Sequence, residues 1–187
     1  MRLFAAVIPP DAAVAELATA IAPLRSLPGA ERLRWTEPAS WHFTLAFLGE
    51  VDEALLPALT ERLDRAAHRH APHELRFAGV GRFDDRILWV GAEGDRIALR
   101  DLARSTAAGA RRAGVEADGK RPFRAHLTLA RAAGPVHLRP YEERLADFSG
   151  TPWAVDRLSL VRSRLPASGV PGERPRYETV ASWGLGG

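Results

Sequence analysis

The chain has 187 residues, no Cys, 46% hydrophobic and 26% charged residues, and a formal charge of +3 at pH 7. This composition fits a globular protein of one domain or two small, closely packed lobes, and it excludes disulfides and thiolate metal sites. The sequence pI of 10.1 overstates the basicity, because nearly all the positive charge is Arg, which keeps its proton to about pH 12; the mildly basic surface suits RNA or a nucleotide without requiring either.

Residues Arg2 to Ile8 read as a first strand, stopped by Pro9-Pro10. The run is too short for a signal peptide, and nothing approaches the roughly 20 apolar residues of a membrane span. The expectation is a cytoplasmic protein with no membrane partner. Asp11 is the expected cap of a helix carrying Val14, Leu17, Ala18, Ile21 and Leu24, broken at Pro28-Gly29. A short strand is expected over 32–35 and a strand over 41–48. Asp52 is the expected cap of a second helix, with Leu55, Leu56, Leu59, Leu63 and Ala66 on its apolar face.

Strands are expected over 73–80 and 87–90, and Asp95 is the expected cap of a third helix with Ile97, Leu99 and Leu102, ending before Gly114. A loop over 115–122 leads to a strand over 124–131. A short helix over 141–148 and two strands, over 153–165 and 176–183, complete the chain, with a loop at 168–172 between the strands. Strand, helix and strands thus occur, then much the same again, which is the order of a duplicated α+β unit.

The two halves share a motif. His42-Phe43-Thr44-Leu45-Ala46 and His126-Leu127-Thr128-Leu129-Ala130 each place a His and a Thr two apart in an apolar run. Successive strand side chains point to opposite faces, so each His and Thr share one face and the apolar residues the other. One such copy is ordinary strand polarity. Two, facing each other across a cleft, fit the in-line opening of a cyclic phosphodiester. That reaction needs a base on the incoming water and an acid on the leaving oxygen, on opposite sides of phosphorus. Imidazole, with an unperturbed pKa of about 6.5, suits both roles. Thr hydroxyls can donate to the non-bridging oxygens.

A metal site is the competing reading of two His, but no third ligand stands at a suitable spacing. His68, His70, His73 and His137 carry no motif. No metal and no cofactor are expected.

At these residues the chain resembles the two-histidine (2H) phosphoesterase superfamily, and within it the RNA 2′,3′-cyclic phosphodiesterases, also named 2′-5′ RNA ligases. The likeness includes Arg2-Leu3-Phe4, the run from Trp41 to Asp52, the run from Arg121 to Arg131 and Arg162-Ser163-Arg164-Leu165. It implies a bilobal α+β fold, with two antiparallel sheets flanking a central cleft and helices outside. It implies metal-independent hydrolysis of a terminal 2′,3′-cyclic phosphate to a 2′-phosphate, with His42 as proton donor, His126 as proton acceptor and Thr44 and Thr128 on the phosphate. Ligation is the same chemistry with an RNA 5′-hydroxyl in place of water, without ATP.

The resemblance also implies Arg131 near the phosphate. Strict alternation from Thr128 puts Arg131 on the opposite face unless the strand bulges, whereas Arg124 has the parity of the motif. Both are candidate substrate-binding residues, and Arg162 and Arg164 are candidates for a basic rim. Ala125 stands where relatives often carry Pro. The expected partner is RNA with a 2′,3′-cyclic phosphate end or a small cyclic nucleotide, bound by a monomer. The alternatives are a phosphodiesterase for small cyclic nucleotides or 2′-5′ oligonucleotides, and a non-catalytic RNA or nucleotide-binding module.

Overall fold

A computed structural model describes residues 1–119 and 121–186. Lys120, within the expected 115–122 loop, and Gly187 lie outside the described residues. In chain order the elements are β1 (Arg2–Val7), α1 (Asp11–Ile21), β2 (Leu33–Trp35), β3 (Phe43–Glu50), α2 (Leu56–His68), β4 (His73–Phe83) and β5 (Ile87–Gly94). There follow α3 (Arg96–Arg112), β6 (Leu127–Ala132), α4 (Arg139–Leu145), β7 (Trp153–Val155), β8 (Arg157–Arg164) and β9 (Arg176–Gly184).

The strands form two antiparallel sheets, as expected. One has the order β3-β1-β8-β9 and the other β2-β6-β5-β4-β7. β1 lies inside its sheet and is buried from Leu3 to Val7, which is why it reads as a continuous apolar run. Helix α2 packs on β9 and β8, α3 on α2 and β3, and α4 on β4. Among the described residues no helix is long and apolar enough to cross a membrane.

Two expected elements differ. The single strand expected over 153–165 is two strands, β7 on the edge of the five-stranded sheet and β8 inside the other, with the chain changing sheets at Asp156. Asp11 is the first residue of α1 rather than its cap; Pro10 holds the cap position, and there is no side-chain cap bond. Asp95 holds the cap position of α3, but its side chain makes no cap bond. Asp52 does cap, its carboxylate accepting from the Ala54 amide at 2.9 Å. It starts a short 3-10 turn ahead of α2.

The sheets meet through one hydrophobic cluster. Phe43, from β3, packs its ring on Phe77 of β4 at 5.7 Å and on Trp153 of β7 at 6.3 Å between centroids. Phe43 stands between His42 and Thr44, so the back of the first motif strand is a joint between the sheets. Leu127 and Leu129 do the same work behind the second motif, both in the same core. Burying a side chain of this size stabilises by roughly 1.5–3 kcal/mol, which fixes the strands whose other faces carry the polar groups.

Candidate active site

Each His sits one residue before its strand, not within it. A 3-10 turn over Pro38–Ser40 brings the chain to β3, and His42 Nδ1 lies 2.8 Å from the Ser40 carbonyl. His126 Nδ1 lies 2.9 Å from the Arg124 carbonyl. A carbonyl only accepts, so Nδ1 carries the proton in both rings and Nε2 is left to take or give one. The same i to i−2 bond thus sets both tautomers.

The Thr residues follow on β3 and β6. Thr44 and Thr128 are half-buried, and neither hydroxyl has a partner among the described residues. Beyond each Thr the strand bulges. On β6, Trp89 of β5 pairs with Thr128 and Leu88 with Ala130, so Leu129 is the extra residue. On β3, Ala6 of β1 pairs with Thr44 and Ala5 with Ala46, so Leu45 is the extra residue. A bulge puts two residues opposite one and flips the parity of the residues beyond it. Leu129 and Ala130 are both buried as a result, and so are Leu45 and Ala46. Arg131 and Phe47 emerge on the face of the Thr residues.

These groups line one cavity of about 450 Å³. His42, Thr44 and Phe47 come from one sheet, and His126, Thr128 and Arg131 from the other. Arg124 does not join them. Its side chain lines a separate depression with Arg96, Arg100 and Phe123, and it reaches the site only through the carbonyl that holds His126. Arg162 is half-buried and Arg164 is ion-paired with Glu178 at 2.9 Å; neither lines the cavity, whereas Ser163 between them does.

Aromatic rings fix both imidazoles. Phe4 lies 4.6 Å from His42 and Tyr177 meets the His42 ring edge-on at 5.4 Å. Phe83 meets His126 edge-on at 5.2 Å, with Trp89 behind at 6.4 Å. Gly81 makes room for Trp89, because a Cβ there would lie 2.2 Å from its ring. Burial pushes the His42 imidazole below its ordinary 6.5; the Ser40 carbonyl opposes that shift, and a positive charge on His126 adds to it. The two rings therefore sense each other across the cavity.

Sequence reasoning missed Phe47, Tyr177, Phe4 and Gly81. The apolar pairs Leu45-Ala46 and Leu129-Ala130, which break alternation after each Thr, were the available signal for the bulges and so for Phe47. Tyr177 comes from the last strand and carried no such signal. Among the described residues no group of three or more His, Cys, Asp or Glu side chains converges as a metal site would require.

A family model described as the 2′-5′ RNA ligase superfamily matches residues 9–166. The chain belongs to that superfamily. An RNA 2′,3′-cyclic phosphodiesterase of Thermus thermophilus is 33% identical over 201 residues, covering 100% of this chain and 91% of the relative. Another, of Geobacillus stearothermophilus, is 32% identical over 156 residues. That alignment covers 81% of this chain, which spans about half (47%) of the Geobacillus protein's length. The fold is similar to that of Escherichia coli LigT in its apo form, with a TM-score of 0.78 at 26% identity over 100% of this chain and 98% of LigT. LigT complexed with 3′-AMP gives a TM-score of 0.77 at 26% identity over 98% of this chain and 97% of LigT.

Proposed function

We propose that this protein hydrolyses 2′,3′-cyclic phosphodiester ends of RNA to 2′-phosphomonoesters by two-histidine acid–base catalysis that needs no metal. One observation carries the reading. Two imidazoles with the same Nδ1–carbonyl anchor line one cavity together with two unpartnered Thr hydroxyls. That is one acid, one base and two donors for a phosphate. The names of the relatives, RNA 2′,3′-cyclic phosphodiesterases, support the substrate and the reaction class.

In the forward reaction His126 Nε2 takes a proton from water as its oxygen bonds to phosphorus. The bond from phosphorus to O3′ breaks, and His42 Nε2 supplies the proton that O3′ needs. Thr44, Thr128 and Arg131 hold the non-bridging oxygens as charge builds on them. Lowering the His42 pKa by burial makes it a readier donor once the phosphodiester anion has drawn a proton onto it. An RNA 5′-hydroxyl in place of water yields a 2′-5′ linkage through the same steps. The cavity volume suits one nucleotide unit, so a cyclic mononucleotide is also turned over.

The test is turnover of a short RNA ending in a 2′,3′-cyclic phosphate, in EDTA, by the wild type and by His42→Ala and His126→Ala. Wild-type turnover with both variants inactive supports the reading. Turnover that depends on added metal, or that survives either substitution, overturns it. A fold-intact protein that binds the RNA without turnover would be the binding module instead.

A further inference from the structure

The cavity has two unlike rims. On the four-stranded sheet the rim is mostly apolar, with a single cation, Arg2. Phe47, Leu165 and Tyr177 are 58%, 55% and 41% exposed there. Of the cations nearby, Arg164 is matched by Glu178 and Arg174 by Glu37, and Arg2 alone lines the cavity from this sheet without an ion pair among the described residues.

On the five-stranded sheet the rim is basic and unmatched. Arg131 on β6 pairs directly with Arg34 on β2, and directly opposed residues on neighbouring strands share a face. Both are exposed, and neither has an ion-pair or hydrogen-bond partner among the described residues. Like charges placed directly opposite destabilise a sheet unless an anion lies between them. Arg131 also lines a second depression, of about 1080 Å³, which contains Arg32 and Arg86, so this one residue borders both. Arg32 spends one donor on the Pro135 carbonyl at 2.9 Å and keeps the others. The depression also contains two carboxylates, Asp84 and Asp85. Asp85 is already engaged by the Leu138 amide at 3.1 Å and by Arg82 at 3.0 Å. Three guanidinium groups in the depression, with Arg34 beside Arg131, thus stand against one uncommitted carboxylate.

We propose that the RNA chain on the 5′ side of the cyclic end leaves the cavity over Arg131 and lies along this depression, with Arg34, Arg86 and Arg32 binding its phosphodiesters. This rests on the phosphodiesterase reading and adds to it a substrate preference: an oligonucleotide end over a cyclic mononucleotide. The apolar rim then faces the terminal nucleoside. The chain of phosphates takes the basic side because releasing counterions there supplies sequence-independent affinity. Arginine suits such contacts through its planar fork of donors.

The test compares kcat/KM on a short RNA ending in a 2′,3′-cyclic phosphate with kcat/KM on a 2′,3′-cyclic mononucleotide. It uses the wild type, Arg34→Gln, Arg86→Gln, their double variant and Arg96→Gln, which alters the other depression. All the substituted positions are exposed, and thermal melts check the fold. The expected result is a fivefold to tenfold loss on RNA for each of Arg34→Gln and Arg86→Gln, roughly one lost phosphate contact. The logarithmic salt slope should become shallower by about 0.7 per contact. Turnover of the cyclic mononucleotide should stay within about twofold of wild type, and Arg96→Gln should change neither substrate.

Equal losses on both substrates, or an unchanged rate and salt slope on RNA, would overturn the path while leaving the phosphodiesterase reading intact. A discriminating loss in Arg96→Gln alone would move the path to the other depression and overturn this one. A wild type inert toward both substrates would overturn the reading beneath it, and the path with it.

Discussion

Phe47 and Arg131 hold the same position in the two copies of the motif. Each stands three residues beyond its Thr, and each is turned into the cavity by a bulge at the intervening Leu. The backbone device is therefore repeated and the chemistry differs: one sheet offers an aromatic face and the other a guanidinium. Such a cavity suits a substrate with an apolar, stackable part and an anionic part, held in one orientation.

Separating those roles gives the first prediction. Base–aromatic stacking is worth roughly 1–3 kcal/mol, so Phe47→Ala should raise KM for a cyclic nucleotide about fivefold to a hundredfold with kcat little changed. Arg131→Gln should instead lower kcat, and Arg131→Lys should recover only part of it, because Lys keeps the charge and loses the fork. Steady-state kinetics on one cyclic nucleotide check both. Equal effects on kcat from both positions would mean that the two residues do not divide the substrate in this way.

The assignment of acid and base gives the second. His42→Ala and His126→Ala should each lower turnover by about 10² to 10⁴, with folding retained. A cyclic substrate whose 3′ leaving atom is sulfur needs no proton on departure. It should restore most of the rate to His42→Ala and none to His126→Ala. Rescue of His126→Ala alone would reverse the two roles.

The anchoring of the rings gives the third. Alanine at position 81 would drive a Cβ into the Trp89 ring, which backs His126. Overpacking of this kind costs about 1–3 kcal/mol. Gly81→Ala should lower the melting temperature and reduce kcat more than it raises KM. An unchanged kcat in a destabilised protein would show that Trp89 supports the fold and not the orientation of His126.

The fourth concerns protons. Burial depresses the His42 pKa below 6.5, and a charge on His126 depresses it further. NMR titration of the free protein should find the His42 ring titrating below that value, and His126→Gln should bring it upward. A nucleoside 2′-monophosphate should raise it as well, because the phosphate favours the imidazolium. The stability consequence has a definite sign. Below pH 6.5 the unfolded chain binds a proton at this position that the native state resists. Stability is therefore lost as pH falls from 6.5 through the folded pKa. His42→Gln should show a shallower decline in melting temperature over that window.

The site was legible in the sequence because it is repeated. Two His-x-Thr units in matching apolar runs stand out where one would not, and the core positions behind them follow from alternation. The placement of Arg131 was not legible by the same rule, since alternation assumes one residue opposite one, and the bulge at Leu129 breaks it. Arg124 shows the converse: its parity matched the motif, yet it precedes the strand, where parity carries no meaning. The division of 153–165 into β7 and β8 was hidden because a strand that changes sheets at Asp156 keeps its β-forming residues on both sides. Tyr177 was unreadable because its contact with His42 depends on how β9 pairs with β8.

The most direct measurement is the position of the phosphate left on a short RNA that starts out with a 2′,3′-cyclic phosphate end, after incubation with the wild type in EDTA. A 2′-phosphate formed at a rate that His42→Ala and His126→Ala both abolish is the predicted result, since it requires O3′ to leave with a proton from one His and water to attack through the other. A 3′-phosphate product, or no product without added metal, would contradict it.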